Sequence, residues 1–340
     1  MKDVNGASQL AKLWSRGAEF LGCPHAIMCG AMTWVSERYL VSAISNAGGF
    51  GVIACGSMTP DLLDAEIKAT FELTVKPFGV NLITMHPDLE QLISVCLDNN
   101  VSHVVLAGGL PASSAIKSLK DGGAKVICFA PALVIAKRLV KLGVDALVIE
   151  GSEAGGHIGP VSTSVLVQEI LPVVTDVPVF VAGGIGRGEA IANFLEMGAA
   201  GVQIGTRFVC ATESIAHPDF KKAFIRANAR DAMPTVQLDK RFPVIPVRAL
   251  SNAGTEEFMD MQRKVAARYA AGEVEQSAAQ LEIEHFWAGA LRRGVIDGDI
   301  ERGSLMAGQS VGMVKCEQST CEIIEELISQ AIDACERSGA

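Results

Sequence analysis

Short apolar runs recur along the first two thirds of the chain, each followed by a stretch with helical spacing of its apolar positions. The runs predict strands at Ala26–Gly30, Gly51–Cys55, Phe78–Leu82, His103–Ala107, Lys125–Phe129, Ala146–Glu150, Pro178–Ala182 and Gly201–Ile204. They are short, rich in Val, Ile and Ala and bounded by turn residues, as strands covered on both faces are. Between them the spacing predicts helices at Glu37–Ala47, Asp61–Phe71, Pro87–Asp98, Ser114–Asp121, Leu133–Leu142, Thr163–Val174 and Arg187–Met197. Glycines at 48 and 198 stand where a helix C-cap needs them.

Eight β/α units in this order predict an α/β fold of the TIM (β/α)8 barrel type, with a doubly wound open sheet as the competing arrangement. The barrel is favoured because every glycine-rich loop falls at the carboxyl end of a strand. The last two of these loops sit where barrel phosphate sites are usually built. From about Ile215 the alternation stops. Helices are then predicted at Lys221–Ala232, Thr255–Ala271, Glu275–Gly294 and Ser319–Ser338, with prolines breaking Arg241–Arg248 and glycines punctuating Asp297–Gly312. The expected division is an N-terminal helical extension (1–22), the barrel (23–214), a mostly helical lid or substrate subdomain over the barrel top (215–318) and a C-terminal helix (319–340).

Composition narrows the function. The 340 residues carry a formal charge of -9, which argues against a nucleic-acid partner. No run approaches the roughly 18–20 apolar residues of a membrane span. Ala7–Leu21 reads as an amphipathic helix rather than a secretory leader. The nine cysteines form no C-x-x-C pair and several lie inside apolar strands, so reduced, inert thiols and a cytoplasmic location are expected. A metal site is not expected, because no second histidine stands at ligand spacing from His157.

The candidate chemistry gathers at the strand ends. Glu150-Gly-Ser-Glu-Ala-Gly-Gly-His-Ile-Gly159 follows a strand directly, and its glycines, Gly155 and Gly156 among them, let a ligand approach the main chain closely. His157 suits a general base at neutral pH, and a satisfied loop histidine is the plainer alternative. Glu150 and Glu153 can hydrogen-bond a cofactor or the backbone. Ala182, Gly183 and Gly184, then Gly205 and Thr206, can present N–H groups and a hydroxyl to a phosphate, against the alternative that the glycines merely cap strands. Met28, Cys29, Gly30, Ala31 and Met32 suit the underside of a flat ring, although Met28 and Met32 equally suit core packing. Asn81, and more weakly Gln203, can pair with a heteroaromatic edge. His217, before a proline, reads as a turn residue; His25, His86, His103 and His285 read as structural. The description fits FMN: one phosphate, one flat ring, and a histidine beside it.

The motifs Glu153-Ala-Gly-Gly-His-Ile-Gly159, Ala182-Gly-Gly-Ile-Gly186, Val202-Gln-Ile-Gly-Thr-Arg-Phe208 and Ser304-Leu-Met-Ala-Gly-Gln309 resemble the nitronate monooxygenase (2-nitropropane dioxygenase) family of FMN proteins. That family also contains enoyl-acyl-carrier-protein reductase II, and the resemblance runs from Pro24 to about Val314. It implies His157 as the active-site histidine associated with proton abstraction from nitroalkanes. It also implies Met306 and Gln309 as the closing segment of a lid. The glycine pattern from Ala288 through Gly303 is closer to the reductase, whereas Ala107-Gly-Gly-Leu-Pro111 resembles the monooxygenases, and Cys29 replaces the glutamine usual in both. The leading expectation is a monooxygenase of alkyl nitronates using dioxygen. The alternatives are an NAD(P)H-dependent enoyl-thioester reductase, partnered by acyl carrier protein, and an NAD(P)H:quinone reductase. Otherwise the partners expected are a small-molecule substrate and a second copy of the chain in a homodimer, with neither nucleic acid nor membrane.

Overall fold

The computed structural model describes residues 5–287 and 289–338. Position 288 of the family-like glycine pattern, and positions 1–4 and 339–340 of the terminal segments, lie outside the described residues. In chain order the strands are β1 (Ile27–Cys29), β2 (Gly51–Ala54), β3 (Phe78–Ile83), β4 (His103–Ala107), β5 (Lys125–Phe129), β6 (Ala146–Glu150), β7 (Gly156–His157), β8 (Val179–Ala182), β9 (Gly201–Ile204), β10 (Ala232–Pro234) and β11 (Val247–Leu250). Eight of them form one parallel sheet in the order β1-β9-β8-β6-β5-β4-β3-β2. It closes on itself where Cys29 donates its N–H to the Phe50 carbonyl (2.8 Å) and Phe50 donates to Ile27 (2.9 Å). The expected (β/α)8 barrel is the observed fold.

Burial orients the barrel. Apart from Lys125 at the start of β5, the eight barrel strands are buried except at Ile83, Ala107, Phe129 and Glu150, each the last residue of its strand. The interior therefore opens only toward the carboxyl ends. The opposite end is plugged by the helix Ser15–Leu21, whose Phe20 carbonyl accepts from His103 Nε2 (2.9 Å) and Lys125 Nζ (2.6 Å). Burial takes the His103 pKa down to about 4, so the plug rests on a neutral ring.

Seven helices follow their strands in the outer layer: Arg38–Asn46, Pro60–Leu73, Leu89–Asp98, Ser113–Asp121, Leu133–Lys141, Thr163–Ile170 and Gly188–Glu196. The eighth place is taken from the far end of the chain. Helix Thr320–Ser338 packs against both Gly188–Glu196 and Arg38–Asn46, burying Ile323, Ile324, Leu327, Ala331 and Cys335 on one stripe. Arg207, only 4% exposed, ties it down by donating to Glu326 (2.9 Å) and Gln318 (3.2 Å).

The segment between departs from expectation in three places. The helix foreseen at Lys221–Ala232 is Pro218–Arg226, because His217 Nδ1 accepts the Asp219 N–H (3.2 Å) as its N-cap and Pro218 opens the first turn. Asn228 and Asp231 then cap a short 3-10 turn that leads into β10. The stretch 275–294 divides into Gln276–His285 and Ala290–Val295, with Gly289 in the left-handed region (φ 72°). Strands β10, β11 and β7 make a small antiparallel sheet that no alternation in the sequence announced. Beyond it, Phe242, Phe258, Val265, Ala279 and Ile283 form an apolar core separate from that of the barrel. Among the described residues no helix is long and apolar enough to cross a membrane.

The outer ring predicts its own weak point. A Cβ on Gly188 would lie 2.0 Å from the Leu327 carbonyl oxygen, a main-chain atom of the C-terminal helix. Gly188→Ala is therefore expected to cost about 1–3 kcal/mol, seen as a lowered Tm with unchanged far-ultraviolet circular dichroism. An unchanged Tm would show that the helix yields without loss.

Candidate active site

Three walls meet at the open end of the barrel. The first is the end of β1. Met28 and Cys29 are fully buried, and the Cys29 thiol turns to the Gly30 carbonyl (3.2 Å) with Ser36 Oγ beside it (3.7 Å). Burial pushes that thiol up to about 12, so it is neither nucleophile nor acid. Gly30, Ala31 and Met32 are the half-buried residues here, and Ser36 fixes their turn by accepting the Met32 N–H (3.0 Å) and donating to the Gly30 carbonyl (3.0 Å). Asn81 is 5% exposed with its Nδ2 donating to the Val105 carbonyl (3.1 Å), while Gln203 is 6% exposed beside Gly30. At the rim Trp34 holds a left-handed backbone (φ 70°), and the Arg292 guanidinium lies 5.8 Å from its ring centre.

The second wall follows β8 and β9. At the ends of β1, β2, β3, β5 and β6 the next residue donates its N–H onward to a neighbouring strand, as Gly151 does to Ala182 (3.1 Å). After β8 this pattern stops. Gly183 (φ 95°) and Gly184 (φ 73°) turn left-handed, and among the described residues no acceptor takes their N–H groups or those of Gly205 and Thr206. Thr206 Oγ1 accepts the Gly308 N–H (3.0 Å), which leaves its own proton to donate. Ala182, the last residue of β8, is buried beneath them. Four N–H groups and a hydroxyl are thus left to donate at the ends of two neighbouring strands, which suits an anion.

The third wall is the loop after β6, and it carries the titratable groups. Glu153 is used structurally: its Oε2 accepts the N–H (2.8 Å) and hydroxyl (3.0 Å) of Thr163 at the start of the next helix. Its carbonyl accepts from Gln309 (2.9 Å), which draws the segment 304–313 across the mouth. Gly155 packs so closely there that a Cβ would meet Gly308 N at 2.6 Å, and Met306 Sδ lies against Gly156. His157 then pairs with Val247 and Gly156 with Arg248, joining the loop to the lid strand β11. The imidazole is exposed at the mouth with no hydrogen-bond partner among the described residues, and desolvation holds its pKa below the ordinary 6.5. Glu150, half-buried at the foot of the loop, has neither ion pair nor hydrogen bond to its carboxyl among the described residues. Burial raises its pKa to about 8.

The sequence did not single out Thr163, Ser36, Gly308 or Arg248, all of which shape these walls. Only Gly308 stood inside a motif that resemblance had marked. Arg248 acts through a partner far along the chain, at Ser152 (2.9 Å), whereas Ser36 and Thr163 act on nearby turns that no motif marked.

The Glu150 carboxyl has a measurable consequence. Its folded pKa lies above the ordinary 4.5, so its contribution is full below pH 4.5 and is lost as pH rises toward about 8. Glu150→Gln is expected to stabilise the cofactor-free protein little at pH 5 and by a few kcal/mol, roughly, at pH 8.5. Urea unfolding at the two pH values checks it, and an equal gain at both would remove the ionisation argument.

Comparison with known proteins accounts for this geometry. The family model for nitronate monooxygenase matches residues 15–93 and 89–330. A Mycobacterium tuberculosis protein, (3aS,4S,5R,7aS)-5-hydroxy-7a-methyl-1-oxo-octahydro-1H-indene-4-carboxyl-CoA dehydrogenase, is 32% identical over 92% of this chain and 95% of its own. Among solved structures, FabK from Thermotoga maritima superposes with a TM-score of 0.86 at 35% identity, covering 95% of this chain and 98% of its own. The nitroalkane oxidase of Streptomyces ansochromogenes does so at 0.77 and 26%, covering 95% and 99%. The chain therefore belongs to the nitronate monooxygenase family and is a flavin-dependent oxidoreductase.

Proposed function

We propose that the protein is an FMN-dependent nitronate monooxygenase, oxidising alkyl nitronates with dioxygen in the cytoplasm. The residues fit FMN. The free N–H groups at Gly183, Gly184, Gly205 and Thr206 suit a phosphomonoester. Gly30 and Ala31 leave room beneath a flat ring, and the carboxamides of Asn81 and Gln203 are buried beside them. FMN supplies the electron acceptor for the organic substrate and the route by which electrons reach dioxygen. All nine cysteines are free, which supports a reducing compartment.

The observation that carries the reading is His157: an exposed imidazole with no hydrogen-bond partner among the described residues, its pKa below the ordinary 6.5, on a segment paired with β11. A neutral nitroalkane loses its α-proton to an imidazole nitrogen, and the C–H bonding pair becomes the C=N bond of the nitronate. The protonated ring returns that proton to solvent at the exposed mouth. With Glu150 protonated near neutral pH, the site carries little negative charge of its own to repel the anion.

Three measurements test this. Anaerobic mixing with propionate 3-nitronate is expected to bleach the flavin, and NADH or NADPH to leave it oxidised. His157→Ala is expected to retain flavin while turnover of a neutral nitroalkane falls by about 10²-fold or more; unchanged turnover would make His157 structural. Because the His157 pKa lies below 6.5, kcat/KM for neutral nitroalkanes should be flat from pH 7 to 8 and decline only as pH falls below that ordinary value. A preformed nitronate should show no such limb.

A second reading has its own support. The CoA dehydrogenase and FabK match this chain at 32% and 35% identity, above the 26% of the nitroalkane oxidase. Rapid bleaching by NADH or NADPH would favour reduction of an enoyl thioester through the same flavin.

A further inference from the structure

Arg248 is used by neither the cradle nor the proton step, yet it stands where the histidine loop, the lid and the closing segment meet. It is 7% exposed. Its Nε donates to the Ser152 carbonyl (2.9 Å), at the start of the histidine loop, and its Nη1 donates to the Ala232 carbonyl on β10. Its own main chain lies opposite Gly156, and its carbonyl accepts from Ala307 (3.3 Å) in the closing segment. The neighbouring turns of the same strand hold the rest: Val247 faces His157, and the Pro246 carbonyl accepts from Ile158 (3.0 Å).

Stability alone does not explain this choice. Among the described residues no carboxylate forms an ion pair with the guanidinium. Glu153, the carboxylate that acts on it electrostatically, is hydrogen-bonded to Thr163. A buried cation without an ion-pair partner is a costly way to join two segments that an apolar side chain could join by packing. What an arginine adds is a rigid fork whose two ends reach two carbonyls at once.

We infer that Arg248 is a positioning residue for His157, its fork clamping Ser152 to the lid sheet so that the two-residue strand β7 presents the imidazole at a fixed place over the mouth. Two paired residues are too few to hold a register by themselves, and the fork supplies the missing constraint at the loop's other end. The role is exerted on proton abstraction, so it rests on His157 being the base.

A double-mutant cycle tests it, using the flavin-loaded full chain, nitroethane as the neutral substrate and its preformed nitronate as control. Arg248→Gln is expected to keep the flavin spectrum. It should lower kcat for nitroethane by about 10–100-fold with KM little changed, and turnover of the preformed nitronate by less than about threefold. In a His157→Ala background it should cost less than about twofold more. Equal losses in both backgrounds, or equal losses on both substrates, overturn the positioning role alone. An unaffected His157→Ala overturns the base assignment, and the positioning role with it. Should Arg248→Gln not accumulate as folded protein, Arg248→Lys, which keeps the charge but not the fork, enters the same cycle with the same outcomes.

Discussion

The antiparallel pairing of Gly156 and His157 with Arg248 and Val247 is the contact on which the site depends. It ties the loop after β6 to a strand whose Leu250 already packs in the barrel core, beyond which Phe242, Phe258 and Ile283 form a second one. The pairing is short, and its neighbours make up the difference: Gly155 lies against Gly308, and Gln309 is drawn to the Glu153 carbonyl. Segments more than a hundred and fifty residues apart at their extremes, Glu153 and Gln309, thus meet at one loop.

Desolvation sets the chemistry of the mouth. It acts on Glu150 and His157 alike by disfavouring charge, raising the first and lowering the second. Both groups are consequently neutral near pH 7 in a chain whose formal charge is -9. Two neutral groups lower the local negative charge in an otherwise acidic protein. Burial also keeps Cys29 from taking part, since its thiol is pushed up to about 12 and turned toward the Gly30 carbonyl.

How much of this was legible follows from where each signal resides. The eight barrel strands were, because a buried parallel strand writes its identity in four or five consecutive apolar residues such as Ala146–Ile149. The turn at Gly183 and Gly184 was, because a left-handed backbone excludes side chains. Strands β7, β10 and β11 were not: two to four residues long and set among Pro234, Pro243 and Pro246, they are too short for alternation to register. His217 carried a signal that was misread, since a histidine before proline marks a helix N-cap here rather than a simple turn. Glu153 offered a carboxylate beside the site, and only the fold reveals that Thr163 engages it. The place of Thr320–Ser338 in the barrel's ring was likewise invisible, being a partnership between the two ends of the chain.

The separate core of the lid has an evolutionary corollary. Phe242, Phe258, Val265, Ala279 and Ile283 pack among themselves, so substitutions there need not disturb the close packing around Phe50 and Phe180 inside the barrel. Yet the chain returns to the barrel through β11, the strand that pairs with Gly156 and His157. Selection that reshapes this core therefore reaches the histidine loop through a single strand. Change in the small core is thus coupled to the histidine loop, whereas the left-handed turns at Gly183 and Gly184 lie outside that pairing.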